Sequence, residues 1–154
     1  MSDFDSILDR AGSELSDEGK LYPSGSYHLK NVGVSFSEFT GEDGREIEVC
    51  SMSYAVGDAL EDVDQDELAE VANDVQGQRV WTRFTMDNSQ NIAAFKKAIR
   101  AHGIDPNEPG TTLREQAKKC KGQEVIGYLG RHSYTRKNGE AVNENSVKSL
   151  ALAA

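Results

Sequence analysis

Gln78-Arg-Val-Trp-Thr-Arg-Phe-Thr-Met-Asp-Asn88 is the stretch on which the fold turns. Val80, Thr82, Phe84 and Met86 alternate with Arg79, Trp81, Arg83 and Thr85. A β-strand has a side-chain period of two, so the two sets face opposite sides of a sheet. The first set suits a core. The second holds the only tryptophan of the chain between two arginines, a composition that suits single-stranded nucleic acid. Bases stack on the indole while guanidinium groups hold phosphates. The opposing expectation is a buried Trp81 flanked by solvated arginines, since tryptophan is usually largely buried.

Working outward, two strands precede this one. Tyr27 to Phe39 is a long strand whose apolar parity switches near Gly33, the signature of a bulge or sharp coil. Thr40-Gly-Glu-Asp-Gly44 is a hairpin turn, because Asp-Gly supplies the positive φ angles of a tight turn. Arg45 to Val56 follows as the second strand, with Cys50, Met52, Tyr54 and Val56 on one face. Gly57 breaks the pattern, and residues 58–76 read as a solvated acidic insertion with a short helix over 64–73 capped by Asp64. Its carboxylates lack the central glycine and regular ladder of a calcium loop.

Beyond the opening stretch, Asn88 to Asn91 caps a helix from Ile92 to Ala101, and His102-Gly103 ends it. Thr111 to Cys120 is a second short helix with Leu113 and Ala117 inward. Gln123 to Tyr134 and about Ala141 to Leu152 are the fourth and fifth strands, joined at Arg136-Lys-Asn-Gly139. The expected class is therefore mainly β: an OB-fold-like, five-stranded Greek-key barrel with a helix between strands 3 and 4 and short helical insertions. In that architecture strands 2 and 3, with the 1–2 and 4–5 loops, commonly bind oligonucleotides. Trp81, Arg79 and Arg83 on strand 3, with Arg131, Tyr134, Arg136 and Lys137 on the 4–5 hairpin, are the expected nucleic-acid contacts.

Composition sets the limits. A chain of 154 residues fits one domain, here 22–154 with 58–76 inserted, preceded by an acidic segment over 1–21. In that segment Phe4, Ile7 and Leu8 share a helical face but are too few to order it alone. The net charge of -9 is uneven: residues 1–76 hold 19 Asp/Glu against 4 Lys/Arg, and residues 77–154 hold 7 against 13. A polyanion meets the local field within a Debye length of ~8–10 Å, so the second half can bind one. No apolar run approaches the ~20 residues of a membrane span, and the acidic N-terminus is unlike a secretory signal, so a cytoplasmic protein without membrane association is expected. Cys50 and Cys120 lie far apart, match no metal spacing and read as free buried thiols.

Several motifs resemble a family. Phe4-Asp-Ser-Ile-Leu-Asp9 with Tyr22-Pro-Ser-Gly-Ser-Tyr27, Gly77 to Met86 with the helix ending Ala-His-Gly-Ile104, Gly122-Gln-Glu-Val125, and Asn143-Glu-Asn-Ser-Val-Lys-Ser149 are similar in style to small bacteriophage proteins related to phage single-stranded-DNA-binding proteins. The resemblance implies an OB-fold that coats single-stranded DNA during phage replication or recombination, in the host cell cytoplasm. It also implies phage replication or recombination proteins as partners and leaves a homo-oligomer open. Many such proteins end in an acidic tail that recruits partners, whereas this chain ends Ser-Leu-Ala-Leu-Ala-Ala154.

No phosphate-cradling loop, dinucleotide fingerprint or nucleophile elbow is present, and His28 and His132, which could face each other across strands, have no nucleophile marked beside them. Neither an enzyme nor a cofactor is expected. The alternative is a non-enzymatic interaction or virion-associated module on an OB-like scaffold, acting through its acidic segments.

Overall fold

In a computed structural model of the chain, residues 8, 11–14 and 19–153 are described. The expected helical face of Phe4, Ile7 and Leu8 lies outside them except for Leu8, which is exposed. After a 3-10 turn at Gly12–Glu14, five strands follow: β1 (Gly25–Thr40), β2 (Glu46–Ala59), β3 (Arg79–Thr85), β4 (Glu124–Thr135) and β5 (Ala141–Leu152). Helix α1 (Gln65–Val75) joins β2 to β3, and α2 (Ser89–Ala101) and α3 (Leu113–Lys118) join β3 to β4.

The strands form one antiparallel sheet in the order β3-β2-β1-β4-β5. β1 is long enough to pair with β2 along its length and with β4 at its start, so the sheet bends around it. The two edge strands, β3 and β5, come close to one another without a hydrogen-bonded ladder. The result is a barrel-like sheet whose inner face is a single core.

Local chemistry fixes each element. The Asp64 carboxylate accepts from the backbone N–H groups of Asp66 and Glu67 and starts α1. Asn88 caps α2 through Asn91 N–H, and Thr112 caps α3 through Glu115 N–H. These side chains satisfy helix-terminal donors that have no partner within the helix. α2 turns Phe95, Ala98, Ile99 and Ala101 inward, with the Phe95 ring 5.3 Å from that of Phe84. Val80, Phe95, Ile99 and Val125 are fully buried, and Phe84 packs against them. Cys50 and Cys120 are free and buried, and burial pushes both thiols up to about 12.

The parity switch in β1 is a pair of register shifts, one between Tyr27 and Leu29 and one between Asn31 and Gly33. At the second, a Cβ on Gly33 would lie 2.7 Å from Ser53 Oγ, so a side chain there would require the Ser53 hydroxyl to shift.

Three expectations need correction. β2 does not stop at Gly57 but runs to Ala59, because the first bulge lets Gly57 pass within 3.1 Å (for an added Cβ) of the His28 carbonyl. The glycine marks a close approach rather than a strand end. The acidic connection is not wholly solvated: Val63 and Val75 are core residues, and Leu68 and Val71 pack on them. Tyr22 and Pro23, the first residues of the domain, are buried too. Tyr22 Oη donates to the Val75 carbonyl at 2.9 Å, and Asn145 brackets the Tyr22 backbone by accepting from its N–H and donating to its C=O. Finally, His28 and His132 do not face each other: His28 lies opposite Ile126 and His132 opposite Glu144.

Candidate nucleic-acid interface

β3 places its residues as its alternation requires. Val80 is inside, while Arg79, Trp81 and Arg83 are exposed. Trp81 has 59% of its surface exposed, so the indole is not the core residue of this strand. A regular strand cannot bury Val80 and Trp81 in one core, and the larger ring is the one left outside.

The rows beside β3 are low. Arg79, Trp81 and Arg83 lie opposite Ala55, Ser53 and Ser51 of β2, and Ser53 and Ser51 lie opposite Gly33 and Ser35 of β1. Beside Trp81 the outer face of β1–β2–β3 is thus a shelf of small side chains, with Ser53 itself buried, and further along β2 the same face carries the buried apolar residues Val49 and Ile47. Toward the β1–β2 turn the shelf ends at Phe39, which lies opposite the buried Ile47. The Arg83 guanidinium carbon sits 5.6 Å from the centre of the Phe39 ring, within cation–π range. Among the described residues, neither Arg79 nor Arg83 forms an ion pair.

The β4–β5 hairpin differs. Arg131 donates to Glu67 of α1 at 2.8 Å, and Arg136 lies 3.7 Å from Glu140. Tyr134 is partly exposed, with its ring 5.6 Å from that of His132, and Lys137 is exposed at the tip. Arg131 follows Val125, Gly127 and Leu129 in parity, so it projects on the same side as the core residues, toward α1. His132 and Tyr134 have the opposite parity. The hairpin residues therefore do not present one common face, and two of their cations already have carboxylate partners. Nothing in the sequence marks Glu67 as the partner of Arg131, 64 residues away.

A cavity of about 550 Å³ lies at this hairpin and not at Trp81, between Lys20, Val71, Arg131, Arg136 and Val142. A shallow stacking face encloses no volume, so cavity size does not locate a site of this kind. Phe39 is the residue that reading strand 1 alone misses. It is the last apolar position before a turn, and only its distance to Arg83 attaches it to the face.

The core holds one buried polar cluster. His102 Nδ1 donates to the Ala98 carbonyl at 2.7 Å, which leaves Nε2 as an acceptor 3.2 Å from both Asn31 Nδ2 and Tyr54 Oη. Burial holds the imidazole below its ordinary value and the Tyr54 phenol far above its own. With the Ala98 carbonyl and the Gly33 N–H as further partners, no buried polar atom of the three side chains is left unpaired, which makes this a structural lock beneath the sheet. No group of acidic, histidine or cysteine side chains suited to a metal ion occurs among the described residues, and no helix there is long and apolar enough to cross a membrane.

No protein-family model matches the chain, and no curated protein matches it either.

Proposed function

We propose that this chain is a single-stranded-DNA-binding protein that coats DNA during phage replication or recombination, on an OB-type barrel. The observation that carries the proposal is Trp81: a ring 59% exposed on a β-sheet face, between Arg79 and Arg83 and beside a shelf of Ser and Gly. An indole in water without a ligand forgoes the burial that usually holds tryptophan inside. A flat ring between two planar cations offers sequence-tolerant stacking and phosphate contacts at once.

Strand order and the helices between β3 and β4 support the OB-type reading, as does the position of Trp81 on the third strand. The excess of Lys and Arg in residues 77–154 supports a polyanionic ligand. Binding requires no metal, cofactor or bond-making residue, and Arg79, Trp81 and Arg83 act by contact alone.

Titration of fluorescent oligo-dT at two salt concentrations, with duplex DNA as control, tests the proposal. Salt-sensitive binding selective for the single strand is expected. Absence of binding at low salt would sink it and favour an interaction module working through its acidic surface.

A further inference from the structure

The exposed aromatic residues of the outer face are not isolated. Phe39, at the end of β1, is exposed to 40%, although its cross-strand neighbour Ile47 is buried. Its ring is approached by the Arg83 guanidinium at 5.6 Å. Arg83 shares its strand face with Trp81, two positions away. One arginine thus stands between two exposed rings, one on β3 and one at the end of the β1–β2 hairpin.

We infer that Phe39 is a second base-stacking position, and that a single strand runs from Trp81 past Arg83 to the β1–β2 hairpin rather than toward the β4–β5 hairpin. The inference rests on the nucleic-acid reading of Trp81 and adds a direction to it. Three observations support the direction. Arg83 has no carboxylate partner among the described residues, so its charge is available to a phosphate between the two stacked bases. Between the rings the exposed side chains of β1 are the small Ser35 and Ser37, beside the half-buried Ser51 and the buried Ser53 and Val49 of β2. On the other side, Arg131 is engaged by Glu67 and Arg136 lies near Glu140.

Register gives the length of the path. Trp81 is level with Ser53 and, through it, with Gly33, and Phe39 lies six residues further along β1. At ~3.3 Å per residue the rings are about 20 Å apart along the strand. That is about six nucleotides at the ~3.4 Å spacing of a stacked strand, and fewer when the strand is extended. The span fits within the ~4–16 nucleotides of a single OB-type site.

The length dependence of binding tests this. Oligo-dT from about two to about ten nucleotides is titrated against the full chain and against Phe39→Ala, Phe39→Trp, Arg83→Lys and Trp81→Ala. In the wild type, affinity should step up once the oligomer reaches both rings, by about tenfold for one added base–aromatic stack. Phe39→Ala should abolish the step and leave the shortest oligomers unaffected, while Phe39→Trp retains it. Arg83→Lys should diminish the step, since lysine keeps the charge but loses the planar fork. Trp81→Ala should weaken oligomers of every length. Thermal midpoints of all variants are measured alongside, and the Phe39→Trp arm decides if Phe39→Ala proves unstable.

Binding by the wild type that Trp81→Ala weakens but Phe39→Ala leaves unchanged at every length would overturn the second position and leave the first standing. Loss of the step in Phe39→Trp as well would overturn stacking at this position. A change in self-association on Phe39→Ala, with the length dependence intact, would assign the ring to contacts between copies of the chain and overturn the inference. Failure of the wild type to bind any oligomer would remove both positions together.

Discussion

Two regions of this protein look alike as sequence: Arg79-Val-Trp-Thr-Arg83 on β3, and Arg131 to Lys137 on the β4–β5 hairpin. Each sets aromatic residues among cations. In three dimensions they part company. On β3 the alternation puts both arginines and the ring on one exposed face, with no carboxylate opposite them. On the hairpin it splits Arg131 from Tyr134, and folding brings Glu67 to the first and Glu140 near Arg136. A cation is a phosphate site only to the extent that its own protein has not already neutralised it. The acidic connection between β2 and β3, which reads as surplus charge, supplies Glu67 to Arg131 and, among the described residues, no carboxylate to Arg79 or Arg83.

The strongest way to break this contrast is through the rings. Phe95→Ala, deep in the core against Phe84, should cost about 3–5 kcal/mol of stability. Trp81→Ala should leave the thermal midpoint near that of the wild type, because removing an exposed ring leaves no cavity. Its effect should fall on oligo-dT affinity instead, by about 1–3 kcal/mol. A Trp81→Ala protein that unfolds like Phe95→Ala would show that the ring supports the core.

Next come the charges. Arg79→Gln with Arg83→Gln should flatten the log–log salt dependence of oligo-dT binding by about 1.4, since each phosphate contact to a single strand contributes roughly 0.7. Arg136→Ala with Lys137→Ala should flatten it less, because Arg136 lies near Glu140. Equal changes from the two pairs would erase the distinction between the regions.

A third test separates the candidate face from the lock beneath it. His102 is held neutral in the folded chain, with its pKa depressed below the ordinary 6.5 by burial. The unfolded chain takes up a proton there first, so stability is complete above about pH 6.5 and declines as pH falls toward the lowered folded value. The lowered Asp43, Asp62 and Asp87 carboxyls lose their contributions only further down, as pH falls from about 3.8. A thermal midpoint that declines from pH 7 to pH 5 in the wild type and less in His102→Gln is expected, measured by circular dichroism without DNA. A decline unchanged by the substitution would place the sensitivity elsewhere.

The smallest effect sharpens the comparison from the other side. Glu67→Gln frees Arg131 from a half-exposed ion pair worth at most about 1 kcal/mol. Because the strand runs toward the β1–β2 hairpin, oligo-dT affinity and its salt dependence should stay near those of the wild type, with little change in stability. A steeper salt dependence would show that Arg131 lies on the path of the strand.

Much of the fold was legible because its signals are local. The bulge near Gly33, the turns at Gly44 and Gly139, and the caps Asp64, Asn88 and Thr112 each depend on a few adjacent residues and a fixed backbone geometry. Gly57 misled for the same reason. A glycine that ends a strand and one that lets a neighbouring carbonyl approach look identical until the partner strand is in place. Val63 and Val75 were hidden among carboxylates because burial of two side chains in an acidic connection needs no periodic pattern.

For the candidate site, sequence by itself determined that Trp81 shares a face with Arg79 and Arg83 and opposes Val80, while the structure decided which of the two faces is inside. Strand alternation is a property of the chain, and once Val80 is inside, the indole and its two arginines are outside. Only the tertiary structure decided, besides, which charges remain available and which rings are neighbours. Glu67 meets Arg131 across 64 residues of sequence, and Phe39 meets Arg83 across 44. Such pairings arise when β1 bends the sheet round and α1 packs against it. Coulomb and stacking energies depend on distances in space, which no spacing along the chain encodes.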